Sequence, residues 1–346
     1  MPREIQPLQS VDVDEFSRFL TSAFGTPADA PFALPEVLRW KYFDPFAAEF
    51  GPRSYIVRDN GEIAAHVGFC PTRFHVGPPP TPPVPTLHMM DWLGSKRHPG
   101  AGLPLLRLAH RLTPTQYGLG GSVDSRRVVD AVGYHTQGTV PVFQRVLRAG
   151  YRLRASTTIT SRTLAAAARD AARLTFKRDD RCEIPFETRP VPAFGPEIDA
   201  VLEAAAGHAV FTDRSPDILN HLLRHPSGTL EGCLLIAAGT VRGFALLNLF
   251  VQGRSRVGKI VDCLLDSANP TQWQGAIHAL TTRLQAQGAD VVFGCGGPPW
   301  VSEAYRANRF RESYPLEFRH RDRDHLIPRD RPFYLTFVEA DYSYLP

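Results

Sequence analysis

Stretches with the apolar spacing of a helix alternate with apolar, strand-like runs along this chain of 346 residues. Apolar positions three and four apart indicate one buried helix face, and β-branched apolar runs indicate strands. Asn60 and Gly61 predict a tight hairpin, because both tolerate the positive φ that a two-residue turn requires. The predicted elements of this part are helices over residues 12–24 and 35–43 and strands over residues 54–58, 62–75 and 86–93.

The order of elements continues and then repeats in the second half. The first copy ends with a helix over 103–112, a strand over 116–123, a helix over 125–132 and a strand pair within 133–148. The second copy has helices over 196–207 and 216–224, strands over 232–237, 241–252 and 256–265, a helix over 271–287, a strand over 290–295, a helix over 300–308 and closing strands over 310–319 and 332–340.

A duplication explains this repeat better than a solenoid, because only two units of this size are present. The string Asp91-Trp92-Leu93 lies beside Asp262-Cys263-Leu264 at a spacing of about 171 residues. The predicted domains are residues 1–150 and 191–346. Between them, residues 151–190 form a linker with a helix over 162–176.

The segment from Leu93 to Gly102 carries the clearest chemical signal. A predicted strand ends in a loop of the form Arg-x-x-Gly-x-Gly, with Arg97, Gly100 and Gly102 in the defining places, and this loop opens a helix. Backbone amides at a helix N-terminus lack partners and lie at the positive end of the helix dipole. Such a loop is suited to binding a pyrophosphate group, and Arg97 adds a full charge.

This loop resembles the acetyl-CoA loop of the GNAT acyltransferase superfamily. The pair Gly133-Tyr134 and the string from Tyr305 to Phe310 are similar to its Gly-Phe and Tyr-x-x-x-Gly-Phe motifs. The resemblance implies an α+β fold with two tandem GNAT-like domains, each a mostly antiparallel mixed sheet flanked by helices. It also implies acetyl-CoA or another acyl-CoA as the donor substrate, with no metal.

The resemblance assigns the donor site to the first copy alone. The second copy reads Ser-Ala-Asn-Pro after Asp266, with neither the arginine nor the glycines. In the family, an amide of the fourth strand polarises the thioester carbonyl, and the loop that follows holds the pyrophosphate. The implied cofactor-binding residues are Leu93, Gly94, Arg97, His98, Pro99, Gly100, Ala101, Gly102 and Ser125.

The implied catalytic residues are fewer. Asp91 is the expected general base, with His88 as the second choice. Asp262 repeats Asp91 in the copy that lacks a donor loop, so a structural role for Asp91 stays open. The family's general acid is a tyrosine four residues before the Gly-Phe pair. Val129 occupies that place in the first copy and Tyr305 in the second.

Composition excludes several other functions. The formal charge of +4 and the absence of an arginine block interleaved with aromatic residues argue against nucleic-acid binding. No apolar stretch has the length of a signal peptide or a membrane span, so we expect a cytoplasmic protein without membrane insertion. The five scattered cysteines predict neither a zinc site nor disulfides. The pair His221 and His225 lacks a third ligand, and residues 320–325 are interpreted as a solvated, charged face.

The sequence therefore predicts an acyltransferase that moves an acyl group, with acetyl expected, to an amine of a small molecule or sugar by direct attack. The expected state is a monomer or homodimer in which the second copy shapes the acceptor site. Two alternatives remain. A Fem-type aminoacyl or peptidyl transferase would need an extended basic surface and a coiled-coil arm. A non-catalytic CoA-binding module would lack an acid or base in its pocket.

Overall fold

The computed structural model describes residues 4–43, 51–156, 158–175 and 182–340. The first half contains β1 (Glu4–Pro7), α1 (Val13–Phe24), α2 (Pro35–Tyr42), β2 (Ser54–Asp59), β3 (Glu62–His75), β4 (Val84–Gly94), α3 (Leu103–Leu112), β5 (Thr115–Leu119), α4 (Val123–Ala131) and β6 (His135–Val146). The remainder contains α5 (Tyr151–Ala155), α6 (Ser161–Thr175), β7 (Glu187–Val191), α7 (Asp199–Ala205), β8 (Phe211–Thr212), α8 (Pro216–Leu223), β9 (Leu230–Ala237), β10 (Thr240–Gln252), β11 (Ser255–Leu265), α9 (Pro270–Ala286), β12 (Val291–Cys295), α10 (Pro299–Ala307) and β13 (Arg311–Asp322).

Local sequence explains where these elements turn and end. Asn60 and Gly61 have φ values of 51° and 86°, as the predicted hairpin between β2 and β3 requires. Helix α1 ends at Gly25, whose φ of 66° would strain any residue with a side chain. Asn269 caps α9 by accepting a hydrogen bond from the Thr271 amide, and Pro270 occupies the first helical position.

The strands form one continuous sheet in the order β1-β2-β3-β4-β5-β13-β6-β12-β11-β10-β9-β7, with β8 paired to β3. Among the ladders of the described residues, β4–β5 and β11–β12 are parallel and the others are antiparallel. The predicted α+β class with a mostly antiparallel mixed sheet is therefore confirmed. The sheet crosses the predicted boundary without a break, so the division at residue 150 reflects the sequence repeat and does not separate two sheets.

The two halves exchange a strand at the centre of the sheet. Strand β13, near the end of the chain, pairs with β5 of the first half through Phe318↔Leu119 and His320↔Tyr117. Strand β6 of the first half pairs in turn with β12 of the second, as in Val142↔Cys295. Each half therefore completes its sheet with a strand supplied by the other half.

Two apolar clusters distinguish the faces of the first half. The face covered by α1 and α2 is called the front face here, and the face covered by α3 is called the back face. The front cluster includes Phe16, Leu20, Leu38, Ile56 and Met90. The back cluster includes Val57, Val67, Leu87, Leu105 and Ala109. Alternation along β4 thus directs His88 and Met90 forward and Leu87 and Met89 backward.

The structure corrects two sequence predictions about strands, and a third prediction, the linker helix, extends past the described residues. Residues 133–148 form the single strand β6 and not a strand pair. The strand predicted over 332–340 is wrong: this segment makes one isolated bridge, Val210↔Phe333, and a short 3-10 turn at Phe337–Glu339. Pro332 has no amide to donate to a ladder. The linker helix is present as α6, and Phe176 lies outside the described residues.

Within the described ranges, no helix combines the length and apolar character needed to cross a lipid bilayer.

The strand exchange predicts that the halves do not fold independently. Residues 1–150 expressed alone lack β13, so the edge of β5 and much of β6 lose their ladder partners. We expect this fragment to aggregate or to unfold without a cooperative urea transition, and co-expression with residues 151–346 to restore one. A monodisperse lone fragment with cooperative unfolding would contradict the exchange.

Candidate active site

A split in the sheet lies between β4 and β5. These parallel strands pair only at Leu87↔Gln116 and His88↔Tyr117. Beyond His88, β4 continues along β3 as far as Gly94, while β5 diverges and ends at Leu119. The edge of β4 that faces β5 therefore has no ladder partner over this stretch among the described residues. The resulting cleft opens toward the loop that precedes α3.

A β-bulge in β4 shapes this split. The register against β3 shifts between His66 and Gly68, and Asp91 has a φ of 45°, a strained value for a residue with a side chain. The His66 ring lies beneath the bulge, with Nδ1 2.9 Å from the Asp91 carbonyl oxygen and Nε2 2.8 Å from the Ser54 hydroxyl. Because a carbonyl only accepts, Nδ1 carries the proton and Nε2 accepts from Ser54.

The Asp91 carboxylate anchors the same bulge. Its Oδ2 accepts hydrogen bonds from the Lys41 ammonium at 2.7 Å and from the Tyr42 hydroxyl, both at the end of α2. These two donors hold the carboxylate at the end of α2 and stabilise its charged form. Asp262 occupies the corresponding place in β11, where the buried Arg214 donates to it at 2.9 Å. An aspartate that binds a cation is thus common to both halves, which favours the positioning role for Asp91.

The loop after β4 has the geometry of an anion site. Gly100 has a φ of 76°, and a Cβ on Gly102 would lie 3.0 Å from the Trp92 indole nitrogen, which donates to the Gly102 carbonyl. The amides of Gly100 and Gly102 donate to no acceptor within the described residues. Arg97 is exposed at the rim. The turn before α3 thus contains an exposed arginine and two backbone amides without an acceptor among the described residues, as an anion site requires.

Other predicted donor-site residues have structural roles that fix this loop. His98 Nδ1 lies 3.0 Å from the Asp59 carboxylate, and Ala101 is fully buried. Pro99 is exposed in the same loop. The Ser125 amide and hydroxyl both bond Ser122, the N-cap of α4.

The hydrogen bonds between β3 and β4 determine which of the two candidate amides, that of Leu93 or that of Gly94, faces the split. The Ser95 amide donates to the Ala64 carbonyl of β3 at 2.8 Å. In an antiparallel ladder, alternate residues point to the same neighbour, so the Leu93 amide also faces β3 and the Gly94 amide faces β5. Of the two, Gly94 is therefore the one placed to contact a carbonyl oxygen bound in the split.

A cavity of about 600 Å³ lies on the front face over β6 and β13. His320 lines it and is 7% exposed, and its Nδ1 has no hydrogen-bond partner in the described part of the chain. Burial lowers the pKa of His320, and Gln137 approaches its Nε2 at 3.4 Å. The interpretation of residues 320–325 as a solvated face is therefore wrong for His320. Its alternation with buried Phe318 in the strand was the signal that could have identified it.

His88 and Tyr117 form the floor where the split closes. Their rings stack at 4.7 Å with an interplanar angle of 5°, and both line a small internal cavity of about 80 Å³ beneath α2 and α8. Burial lowers the pKa of His88 to about 3, so its imidazole is neutral at neutral pH. Because His320 is paired with Tyr117, the residues His88, Tyr117 and His320 lie side by side across β4, β5 and β13.

The back of the split carries a tyrosine that sequence reasoning did not assign. The Tyr134 hydroxyl donates to the Gln116 side chain at 2.5 Å and lies 4.0 Å from the Met89 sulfur. Tyr134 therefore bridges β4 and β5 where they part. Burial raises its pKa, so the phenol keeps its proton. Val129, in the family's usual acid position, is buried without a titratable group.

Tyr305, the acid candidate of the second half, is placed elsewhere. Its ring stacks on Phe143 at 4.8 Å and lies directly over Gly294, where a Cβ would come within 2.3 Å of it. It is 2% exposed, and burial raises its pKa well above the ordinary value. Tyr305 is thus packed in the second half against β12 and is not brought to the split between β4 and β5.

Comparison with solved structures identifies the fold. An N-myristoyltransferase of Saccharomyces cerevisiae with bound myristoyl-CoA superposes with a TM-score of 0.63 at 11% identity, covering 93% of this chain and 84% of that chain. A GCN5-related N-acetyltransferase from Anabaena variabilis superposes with a TM-score of 0.60 at 12% identity, covering 92% and 72%. One from Kribbella flavida gives 0.54 at 13% identity, covering 92% and 71%.

The chain has the GCN5-related N-acetyltransferase fold. This likeness confirms the fold that the sequence resemblance implied. No model of a protein family and no curated protein matches the sequence. The identities of 11–13% show the fold alone, so activity has to be argued from this chain's own residues.

The buried network beneath the bulge predicts a pH dependence of stability. Burial lowers the pKa of His66 to about 4, whereas the unfolded residue titrates near 6.5. Between these values only the unfolded state takes up the proton, so stability falls as pH drops from about 6.5 to 4. One such group contributes about 1.4 kcal/mol per pH unit. In urea unfolding at pH 7, 6 and 5, the free energy of unfolding of His66→Gln should depend less steeply on pH than that of the wild type. The difference in slope should be about the contribution of one proton.

Replacement of the exposed His208 by Asn is the matched control and should leave the slope unchanged. An unaltered slope in His66→Gln would show that His66 is not held neutral beneath the bulge.

Proposed function

We propose that this protein is an acyl-CoA-dependent N-acyltransferase whose donor site is the β4–β5 split of the first half. The observation that carries the proposal is the joint presence of an unpaired β4 edge, a bulge and a glycine loop with Arg97 before α3. Solved structures with this fold are named N-acetyltransferases or N-myristoyltransferases, and one contains bound myristoyl-CoA. The geometry of the split and the names of these similar structures both favour a thioester as the donor.

In this proposal the pantetheine arm lies between β4 and β5 and replaces the missing ladder partner. The pyrophosphate rests on the amides before α3, and Arg97 provides a charge-assisted contact. The Gly94 amide, on the open edge of β4, donates to the pantetheine arm. The thioester lies deeper in the split, level with the bulge at Asp91, where backbone amides on the same edge of β4 stabilise the oxyanion that develops when the acceptor attacks. The second half lacks an equivalent loop, because its strand β11 is followed by the capped start of α9.

The acceptor amine approaches from the front-face cavity, whose volume of about 600 Å³ suits a small molecule or sugar. His320 is neutral at neutral pH because burial lowers its pKa, so it can accept the proton that the amine loses on attack. This residue comes from the exchanged strand β13. The second half would then contribute directly to a reaction on the donor held by the first.

Departure of the thiol completes the reaction. The C–S bond breaks as the tetrahedral intermediate collapses, and the sulfur takes a proton. We assign this proton to Tyr134. Support comes from the position of its hydroxyl near the point where β4 and β5 part, and from its burial, which raises its pKa so that it keeps the proton at neutral pH. Asp91 keeps the bulge in shape through Lys41 and Tyr42, and His88 supports Tyr117 by stacking.

Donor binding is tested at Arg97. We expect calorimetry to give one CoA per chain, and Arg97→Ala to weaken binding by roughly 10- to 100-fold with a smaller salt dependence, since a charge-assisted contact contributes about 1.5–3 kcal/mol. Arg107→Ala, which changes an exposed arginine on α3, is the matched control and should bind normally. Two equivalent sites, or equal affinity in both variants, would contradict the proposed donor site.

The acid and base are tested by steady-state kinetics of thiol release over a panel of amines and amino sugars. His320→Asn should lower kcat by roughly 10²–10⁴ and remove the acidic limb of the pH–rate profile, with CoA affinity unchanged. The limb should lie below pH 6.5, because burial lowers the pKa of His320. Tyr134→Phe should slow thiol departure and spare CoA affinity.

His208→Asn serves as the control for the first variant, since His208 is exposed. If Asp91→Asn abolishes the acidic limb while His320→Asn keeps it, the base is Asp91, as the sequence first suggested.

A further inference from the structure

A second, strongly basic groove lies away from the split. It encloses about 1320 Å³ between α6 and the strands β6 and β13, close to the end of α10. No residue of the loop before α3 or of the front-face cavity lines it. The arginine side chains that line it are Arg145, Arg152, Arg169, Arg173, Arg309 and Arg311. The whole chain carries a formal charge of only +4, so this is a local concentration of charge.

Two of the lining arginines, Arg169 and Arg311, have no carboxylate partner among the described residues. Asp170 pairs with Arg152 at 2.7 Å and with Arg173 at 3.5 Å. Glu312 is bound at 2.5 Å by Arg306, which is not part of the lining. Among the described residues, no carboxylate lies within 4.0 Å of Arg169 or Arg311. A ligand that supplied negative charge would therefore meet guanidinium groups whose charge is not already neutralised.

Mutual repulsion between these arginines supports the same interpretation. Burial is the first cause that lowers the pKa of Arg311, and the charges of Arg173 and Arg169 lower it further, against the opposing effect of Asp170. Like charges gathered in a concave space raise the free energy of the empty groove. An anion bound between them would relieve this repulsion.

We propose that this groove binds a phosphorylated small molecule carrying at least two phosphoryl groups. Arginine forks match phosphate oxygens in a bidentate manner, and several forks on facing walls fit several phosphates. The walls are set by α6 on one side and by Arg145 and Arg311 on the two paired strands on the other. An acyl chain would be a poor occupant, because charged side chains dominate the lining.

Two sources could supply such a ligand: the nucleotide portion of a second CoA molecule, or a separate polyphosphorylated compound. The chemistry at the groove is the same for both. Titration separates them. The first source predicts, beside the one CoA at the donor split, a second and inequivalent CoA site that Arg169→Ala/Arg311→Ala removes and Arg97→Ala spares, and the second source predicts one CoA together with an independent polyanion site.

The test titrates the full chain with inorganic tripolyphosphate as the probe. Calorimetry at low and at moderate salt measures the binding. We expect one tripolyphosphate to bind at the groove with an affinity that falls with salt. The double variant Arg169→Ala/Arg311→Ala should weaken this binding at least tenfold and leave CoA binding at the β4–β5 split unchanged. Arg97→Ala should weaken CoA binding and leave tripolyphosphate binding unchanged. The two variants therefore distinguish failure of the groove site from failure of the donor site.

Arg127→Ala/Arg254→Ala, at two exposed arginines outside the groove, is the matched control. Circular dichroism establishes that the double variant is folded, and the charge-conserving Arg169→Lys/Arg311→Lys variant should recover part of the affinity. Absence of tripolyphosphate binding, or equal binding by the Arg169→Ala/Arg311→Ala and control variants, would overturn the proposal. Binding abolished by Arg97→Ala would do the same.

Discussion

The bulge at Asp91 is the feature on which the rest of the candidate site depends. A residue held at a φ of 45° costs conformational free energy, and it persists because surrounding contacts fix it. The His66 ring binds the bulged carbonyl from β3, while Lys41 and Tyr42 bind the carboxylate from α2. These contacts turn β4 away from β5, and the sheet opens at the place where a thioester donor would lie.

The strand exchange joins the two halves in one continuous sheet. A duplicated domain could be expected to keep one complete site in each copy. Here β13 crosses to β5 and brings His320 beside Tyr117, while in the second half β11 is followed by the capped start of α9 and not by a glycine loop with an arginine. The buried group of Arg214, Asp262 and Glu339 occupies the second half's equivalent of the bulge. In that half, the position serves packing and charge balance.

Sequence patterns predicted most of the elements, because periodicity and the Asn60-Gly61 turn are local signals. They also predicted that the Arg97 loop joins a strand to a helix, as it joins β4 to α3. They missed the exchange, since nothing local shows which strand β13 will pair with. For that reason His320 was interpreted as solvated. Tyr134 was noticed as part of a motif, but its hydroxyl's position against Gln116 depends on packing between elements. The repeat of Asp91 at Asp262 left a structural role open for Asp91, and the cations that bind both residues support that role.

Hydrogen–deuterium exchange with and without CoA tests the central claim most directly, because it reports on every backbone amide in the intact chain. The account predicts that CoA slows exchange over residues 94–105 and 116–122, where the split and its loop lie. Residues 262–275 of the second half should exchange at an unchanged rate. Protection of residues 262–275, or no protection at the loop before α3, would contradict it.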